Sequence, residues 1–265
     1  MRLLLALAVV IAVLVFAMTW SQDSIIFPTH AVAAPGRLPP GAERFDVKTP
    51  DGEKLHGVYI PPDHPAALVP KTLILGFGGN AWNGEDVATY LHELYPDADV
   101  VTFHFRGYRP STGTPSAKAL VADAPLVFDA AIARVRPERT ILVGFSIGSG
   151  VAASLAGRRP ADGLILVTPF DCLKAVAADI FPWLPIGPFF RHELNAAEAL
   201  TGSNMPVAII GAERDEVIPP ARTEALRDRV PNLVFDRTIR RAGHNDIYQR
   251  SDFHQAMREA VAALP

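Results

Sequence analysis

Hydrophobic positions follow a regular pattern from about residue 71 onward. Short runs that are apolar on both faces alternate with longer amphipathic stretches. The runs read TLILGF, DVVTFHF, TILVGF, DGLILVTPF and PVAIIGA, and residues 85–93, 117–134 and 149–157 between them suit helices. Runs of this kind are typical of strands covered by helices on both faces. The alternation predicts an α/β domain with a mostly parallel, doubly wound sheet.

Two more strands are predicted before that region. Residues 43–49 and 54–60 flank the turn sequence Pro50-Asp51-Gly52, which favours an opening hairpin. Residues 23–42 are rich in proline and have no periodic apolar face, so they are interpreted as an extended connector. We therefore expect the folded domain to cover residues 43–265.

The first 22 residues form a separate segment. After Arg2, residues 3–20 are uncharged and strongly apolar, and as a helix they would be about 27 Å long, close to the ~30 Å of a bilayer core. This predicts a signal-anchor transmembrane helix. Arg2 favours a cytoplasmic N-terminus and therefore an extracytoplasmic domain. The alternative is a cleaved signal peptide and secretion, with Ala31-Val32-Ala33 as the cleavage site.

Residues 172–200 interrupt the strand and helix alternation. They include FPWLPIGPFF, with three prolines among bulky apolar residues and no strand-like run. In a doubly wound sheet, such an insertion is a candidate cap over the crevice at the carboxyl ends of the strands. The alternative interpretation is an ordinary helical crossover.

Charge and cysteine content exclude several functions. The 265 residues carry 25 basic and 28 acidic side chains, a net charge of −3, without a long run of either sign, so a nucleic-acid partner is not expected. With Cys172 as the only cysteine, no intramolecular disulfide and no zinc cluster built on cysteine pairs can form. No metal or organic cofactor is implied, and the oligomeric state is not predicted.

Gly144-Phe145-Ser146-Ile147-Gly148 matches G-x-S-x-G, the tight strand-to-helix turn that exposes a nucleophilic serine. A strand-like run precedes it and a small-residue helix follows it, as the turn requires. Glycine is needed at both outer positions because a side chain there would collide with the neighbouring strand or helix. The alternative is a glycine-rich turn without a catalytic role.

A serine hydroxyl needs a base to remove its proton, and the fold orders the triad as serine, acid, histidine. His244 and His254 are the histidines that follow the late strands. His254 lies within an amphipathic helix predicted at residues 252–263. His244 lies in a loop directly after the strand-like residues 233–239, so it is the preferred base.

The acid is expected in the loop after PVAIIGA. Asp215 lies there, before the next helix, where its carboxylate can accept the Nδ1 proton of the histidine. Glu213, Glu216 and Asp171 are rival candidates. For the oxyanion, the N–H groups of Ile147 and Asn80 are predicted donors, one after the nucleophile and one in the loop after TLILGF.

The chain resembles the bud-emergence-type branch of the α/β-hydrolases, relatives of the membrane-associated protein depalmitoylases. The segments that carry the resemblance, in order, are IIFPTH, TPDGEKLHGVYIPP, GFGGNAWN, FHFRGYRPSTGTPS, GFSIGSGVA, TPFDCLKAVAADIFPWLPIGPFF, GAERDEVIPP and AGHNDIY. The resemblance implies an α/β-hydrolase fold, a triad of Ser146, Asp215 and His244, and retention of residues 24–40.

Two segments depart from that family's pattern. Gly78-Gly79-Asn80 stands where relatives commonly have His-Gly-Asn, which puts the side-chain support of the oxyanion loop in doubt. Arg106-Gly107-Tyr108-Arg109-Pro110-Ser111 stands where relatives read R-G-Y-G-x-S, so this turn is expected to differ in shape. Arg106 and Tyr108 are interpreted as structural residues.

The predicted activity is hydrolysis of an ester or thioester through an acyl-enzyme on Ser146. A small-molecule or lipid-like acyl substrate is favoured, and apolar residues are the candidate pocket, or alternatively only core: Trp82, Phe181, Trp183, Leu184 and Phe190. Two other functions stay open at this point, a catalytically silent membrane-anchored scaffold and a serine peptidase.

Overall fold

The computed structural model describes residues 2–64, 70–183 and 187–265. Eight strands form one sheet: β1 (Glu43–Lys48), β2 (Lys54–Ile60), β3 (Thr72–Phe77), β4 (Asp99–Phe103), β5 (Arg139–Phe145), β6 (Gly163–Val167), β7 (Val207–Ala212) and β8 (Leu233–Ile239). Their order across the sheet is β1-β2-β4-β3-β5-β6-β7-β8. β1 and β2 pair antiparallel as the predicted hairpin, β2 pairs antiparallel with β4, and the other pairings are parallel.

The helices are α1 (Arg2–Ile26), α2 (Gly84–Leu94), α3 (Ala117–Val135), α4 (Ile147–Ala153), α5 (Leu173–Ile180), α6 (Ala196–Leu200), α7 (Pro220–Arg227) and α8 (Ser251–Ala263). Short 3₁₀ turns cover Thr29–Ala31, Gly187–Phe189 and Ile247–Gln249. The predicted helices at 85–93 and 117–134 are confirmed within one residue at each end. α4 is shorter than predicted, since residues 154–157 form turns instead of helix.

The central strands are buried on both faces, which explains their continuous apolar sequence. Successive residues of β3 belong to different core clusters, as Leu73 and Ile74 do. One cluster packs α3 and α4 against the sheet, and the other packs α2 and α8 against the opposite face. This arrangement confirms the predicted doubly wound α/β architecture, and it brings the carboxyl ends of β3 and β5 to β8 to one edge.

Helix α1 extends beyond the predicted boundary at residue 22 because its last turns make polar contacts with the domain. The Gln22 side chain donates to the Phe189 carbonyl at 2.9 Å and accepts from the Arg191 N–H at 2.9 Å. Asp23 lies 2.6 Å from His192 Nε2. Phe27 is buried in the core directly after the helix. Residues 22–27 therefore pack on the domain, and the helix ends at Ile26 instead of at the predicted residue 22.

Within the part of the chain that the structure describes, no helix has both the length and the hydropathy needed to cross a bilayer. The transmembrane helix predicted over residues 1–22 is thus not supported. The extracytoplasmic location and the alternative of secretion stay predictions made from the sequence.

Candidate active site

Ser146 lies at the sharp turn between β5, which ends at Phe145, and α4, which begins at Ile147. Its backbone has φ 51° and ψ −119°, a conformation that non-glycine residues rarely adopt. Such strain is typical of the serine in a strand-turn-helix elbow, where it lifts the hydroxyl above the end of the sheet. The residue is 8% exposed, so its hydroxyl is mostly shielded from bulk water.

The two glycines of the turn are required by close backbone packing. A Cβ on Gly148 would overlap the carbonyl oxygens of Phe77 and Gly78 at the end of β3. A Cβ on Gly144 would lie 2.5 Å from the Gly148 carbonyl oxygen. The neighbouring strand and the helix therefore restrict both positions to glycine.

Replacing Gly148 with alanine is expected to destabilise the fold by about 1–3 kcal/mol, because the added methyl group must push backbone atoms apart. Urea unfolding followed by circular dichroism measures the loss. Gly187→Ala is the control, since the nearest atom to its Cβ is Lys174 Cε at 3.7 Å. Equal stability of the two variants would contradict the packing argument.

Ser146, His244 and Asp215 form one hydrogen-bonded chain. His244 Nε2 lies 2.9 Å from Ser146 Oγ, and His244 Nδ1 lies 2.8 Å and 3.0 Å from the two carboxylate oxygens of Asp215. The three side chains come from loops after β5, β7 and β8, which end at the same edge of the sheet. All three are at least 92% buried, so their hydrogen bonds are shielded from competing water.

The Asp215 carboxylate is held by backbone donors. Its Oδ1 accepts from the N–H groups of Val217 at 2.9 Å and Ile218 at 2.7 Å. These two bonds orient the carboxylate before α7 begins at Pro220. Asp215 is therefore a fixed acceptor for the Nδ1–H of His244.

The rival acids have other partners. Glu213 accepts from the Arg241 N–H at 2.7 Å, and Asp171 pairs with Arg222 at 3.4 Å. Glu216 accepts from the backbone N–H of His244 at 3.0 Å. Glu213 and Glu216 thus join the loop of the acid to the loop of the histidine.

Glu216 is a positioning residue that the sequence analysis did not identify, because its role depends on two loops meeting in space. Glu216→Ala is expected to lower kcat about tenfold, since a charge-assisted hydrogen bond of about 1.5 kcal/mol on the His244 backbone is lost. KM is expected to change little. Steady-state kinetics on a soluble ester measure both constants.

Glu216→Gln is the matched control for this prediction. Its amide oxygen can still accept from the His244 N–H, so kcat is expected within about threefold of wild type. If Glu216→Ala and wild type have the same kcat, Glu216 does not position the histidine.

His254, the rival base, has a different contact. Its Nε2 lies 2.7 Å from the carbonyl oxygen of Tyr248, in the 3₁₀ turn that follows His244. The Tyr90 hydroxyl donates to the same carbonyl at 2.7 Å. His254 and Tyr90 together fix the turn that follows the histidine loop.

The loop after β3 runs close to the nucleophile. A Cβ on Gly79 would lie 3.8 Å from Ser146 Cβ, and the Tyr108 hydroxyl donates to the Asn80 carbonyl at 2.7 Å. Asn80 faces the same cavity as Ser146, and Ile147 is the first residue of α4, where backbone N–H groups have no partner within the helix. Their function as oxyanion donors stays a prediction.

Arg106 stabilises the turn that carries Tyr108. Its guanidinium forms paired hydrogen bonds with Asp123 at 2.7 and 2.9 Å and also contacts Asp51. The hydrogen bonds from Arg106 lower the pKa of Asp51 to about 2. Tyr108 is completely buried. These contacts fix the turn that carries Tyr108, and they agree with the structural interpretation of both residues.

Comparison with known proteins identifies the family. Residues 73–194 match the model of the α/β hydrolase fold. An uncharacterised protein of Mycobacterium tuberculosis is 30% identical over 250 residues, which cover 91% of this chain and 87% of that protein. The chain belongs to the α/β-hydrolase superfamily.

Other similarities are more distant. Human alpha/beta hydrolase domain-containing protein 17C is 28% identical to this chain over 177 residues. The aligned residues cover 63% of this chain and 50% of that protein. An esterase of Pyrococcus furiosus has a TM-score of 0.66 at 18% identity, with 87% of this chain and 97% of that chain covered. An α/β hydrolase of Vibrio vulnificus has a TM-score of 0.68 at 22% identity, and the match covers 85% of this chain and 82% of that chain. The solved structures support the fold.

A cavity of about 520 Å³ lies beside the serine of this α/β-hydrolase. The lining residues come from the loop after β3, from α2, from the turn of the serine, from the loop of the acid and from the segment that follows β8. They are Gly79, Asn80, Ala81, Trp82, Tyr90, Ser146, Val217, His244, Asn245, Tyr248 and Gln249. Of the predicted pocket residues that the structure describes, Trp82 is the one in this lining.

The other pocket candidates that the structure describes do not line this cavity. Phe181 and Trp183 contact each other edge to face, and Trp183 is 66% exposed. Phe190 is buried beside His192, and Leu184 lies outside the described residues. The reason is the position of the 172–200 insertion, which packs along α4 through Leu194 and against the end of α1. Its described residues contribute nothing to the cavity lining.

The described lining contains no Lys, Arg, Asp or Glu side chain. Burial raises the pKa of Tyr248 to about 12 and raises the pKa of Tyr90 as well, so both hydroxyls stay protonated near neutral pH. In the described ranges, no group of three or more His, Cys, Asp or Glu side chains is arranged to hold a metal ion. The described lining residues can transfer protons and form hydrogen bonds.

Proposed function

We propose that this α/β-hydrolase is a serine hydrolase that cleaves a small-molecule ester or thioester through an acyl-enzyme on Ser146. The observation that carries the proposal is the continuous hydrogen-bonded chain from Ser146 Oγ through His244 to the Asp215 carboxylate, beside an open cavity. A structural serine has no need of a buried histidine and carboxylate in this geometry, whereas an activated nucleophile does.

The proposed reaction has two stages, acylation and deacylation. His244 Nε2 accepts the Ser146 hydroxyl proton while Oγ forms a bond to the carbonyl carbon of the substrate. The tetrahedral intermediate collapses, the bond to the leaving oxygen or sulfur breaks, and the leaving group takes the proton from His244. Water then attacks the acyl-enzyme by the same route, which releases the acid and restores the serine.

The remaining groups support the charges that develop. Asp215 stabilises the protonated His244 and holds its Nδ1–H, and the N–H groups of Asn80 and Ile147 would bind the negative oxygen of the intermediate. Membership of the bud-emergence-type branch within the superfamily is part of the proposal and rests on the sequence motifs that resemble that branch.

Hydrolysis of graded p-nitrophenyl esters by the purified full chain tests the proposal. We expect release of p-nitrophenol well above the rate of buffer alone, and no such release by Ser146→Ala. A flat, background-level profile with every ester would instead favour a catalytically silent binding protein.

A further inference from the structure

The cavity beside Ser146 selects against charged substrates. Of the described residues that line it, none is Lys, Arg, Asp or Glu. A charged group bound there would lose its hydration without a partner of opposite charge, which costs several kcal/mol. Its volume of about 520 Å³ lies within the range of small-molecule sites. The cavity therefore suits a compact, uncharged ligand.

One side of the cavity is made of aromatic rings. Trp82, Tyr90 and Tyr248, here called the aromatic wall, line it from three different elements. The Trp82 ring lies 5.3 Å, centroid to centroid, from each of the other two rings, with interplanar angles of 54° and 60°. Phe145, the residue before the nucleophile, lies 5.3 Å from the same ring. These distances are within the range of favourable aromatic pairs.

The aromatic wall is held in a defined shape. The Tyr90 hydroxyl donates to the Tyr248 carbonyl at 2.7 Å, and His254 Nε2 contacts the same carbonyl. Tyr90 and Tyr248 stand nearly perpendicular to each other, at 89°. A set of rings fixed at steep angles offers faces and edges to a planar ring, whereas a flexible alkyl chain gains only contact area.

We propose that the aromatic wall is the specificity-determining subsite of the hydrolase and binds an aromatic ring of the substrate. The preferred substrates are then uncharged esters or thioesters with a ring close to the scissile carbonyl, in either the acyl or the alcohol half. This inference rests on the proposed function. It narrows the lipophilic acyl substrate expected from the sequence, because the described cap residues predicted to line the pocket, Phe181, Trp183 and Phe190, do not line the cavity.

The test compares three neutral esters of similar size by pH-stat titration of the acid released by the full chain. Methyl phenylacetate carries a ring in the acyl half, benzyl acetate carries one in the alcohol half, and hexyl acetate has none. We expect kcat/KM to be about tenfold higher for at least one ring ester than for hexyl acetate, the size of one good aromatic contact. The ring ester that is preferred identifies the half that binds the aromatic wall.

Variants of Trp82 test whether the aromatic wall causes the preference for ring esters. Trp82→Leu keeps an apolar side chain without a ring and is expected to lower kcat/KM about tenfold for the preferred ring ester and less than threefold for hexyl acetate. Trp82→Phe keeps a ring and is expected to retain most of the preference. Hexyl acetate hydrolysed as fast as both ring esters, or an equal loss on all three esters in Trp82→Leu, would overturn the inference.

Inhibition of the wild type gives an independent measurement that needs no variant. Phenylboronic acid is expected to inhibit hydrolysis of p-nitrophenyl acetate at about tenfold lower concentration than butylboronic acid. Equal inhibition would count against the aromatic wall while leaving the hydrolase intact. Absence of ester hydrolysis altogether would instead refute the proposed function, so the two failures are distinguishable.

Discussion

Replacing Ser146 with alanine is expected to lower kcat for ester hydrolysis by about 10⁴-fold or more, to the level left by binding and the oxyanion donors alone. On the proposed mechanism, the variant loses the Oγ atom that forms the acyl bond, while the contact between His244 and Asp215 is retained. The rate of p-nitrophenol release from p-nitrophenyl acetate measures the loss of kcat.

Folding of Ser146→Ala must be checked beside its activity. Alanine at φ 51° is as strained as serine, so the free energy of unfolding is expected to change by less than about 1 kcal/mol. If the folded variant keeps a kcat within tenfold of wild type, another residue is the nucleophile.

Replacing Asp215 with asparagine is expected to lower kcat about 10⁴-fold, although the shape of the side chain is retained. The N–H groups of Val217 and Ile218 require an acceptor, so the amide oxygen takes the position of Oδ1. The amide NH₂ then faces His244 Nδ1, which must accept a hydrogen bond. The proton of the imidazole is thereby forced onto Nε2, where it faces Ser146 Oγ and prevents proton removal.

Asp171→Asn is the control for this second prediction, since Asp171 was a rival acid and pairs with Arg222 away from the histidine. Its kcat is expected within about twofold of wild type. A large loss in Asp171→Asn together with a small loss in Asp215→Asn would mean that the acid is misassigned.

Much of the sheet could be predicted because the signal is local. Each of β3, β5, β6 and β7 contains an unbroken apolar run, and burial on both faces of the sheet requires apolar residues at successive positions. The order of Ser146, Asp215 and His244 along the chain was predictable for a related reason. Each follows a strand, and parallel strands end at one edge of the sheet.

The walls of the cavity could not be predicted in the same way. Tyr90 lies within α2 and Tyr248 in the turn after His244, and their sequence neighbourhoods are those of ordinary helix and turn residues. They meet at Trp82 only because α2 and α8 pack on the same face of the sheet, the face on which Phe145 at the end of β5 is buried. Such contacts depend on tertiary packing, which hydrophobic periodicity does not encode.

The packing of the insertion at 172–200 and of the N-terminal helix could not be predicted, for a similar reason. The bulky apolar sequence of the insertion favoured a cap over the site, yet Leu194 packs on Gly150 of α4 and Phe189 accepts a hydrogen bond from Gln22 of α1. The sequence revealed that these residues need apolar surroundings but not which surface supplies them.

Covalent labelling tests the central claim most directly. The full chain is incubated with a fluorophosphonate, and the intact mass and peptide map are measured beside Ser146→Ala and His244→Ala. We predict one adduct per chain, located on Ser146, with no adduct in Ser146→Ala and much slower labelling in His244→Ala. A wild-type chain that stays unlabelled, or that carries its adduct on another residue, would contradict the account.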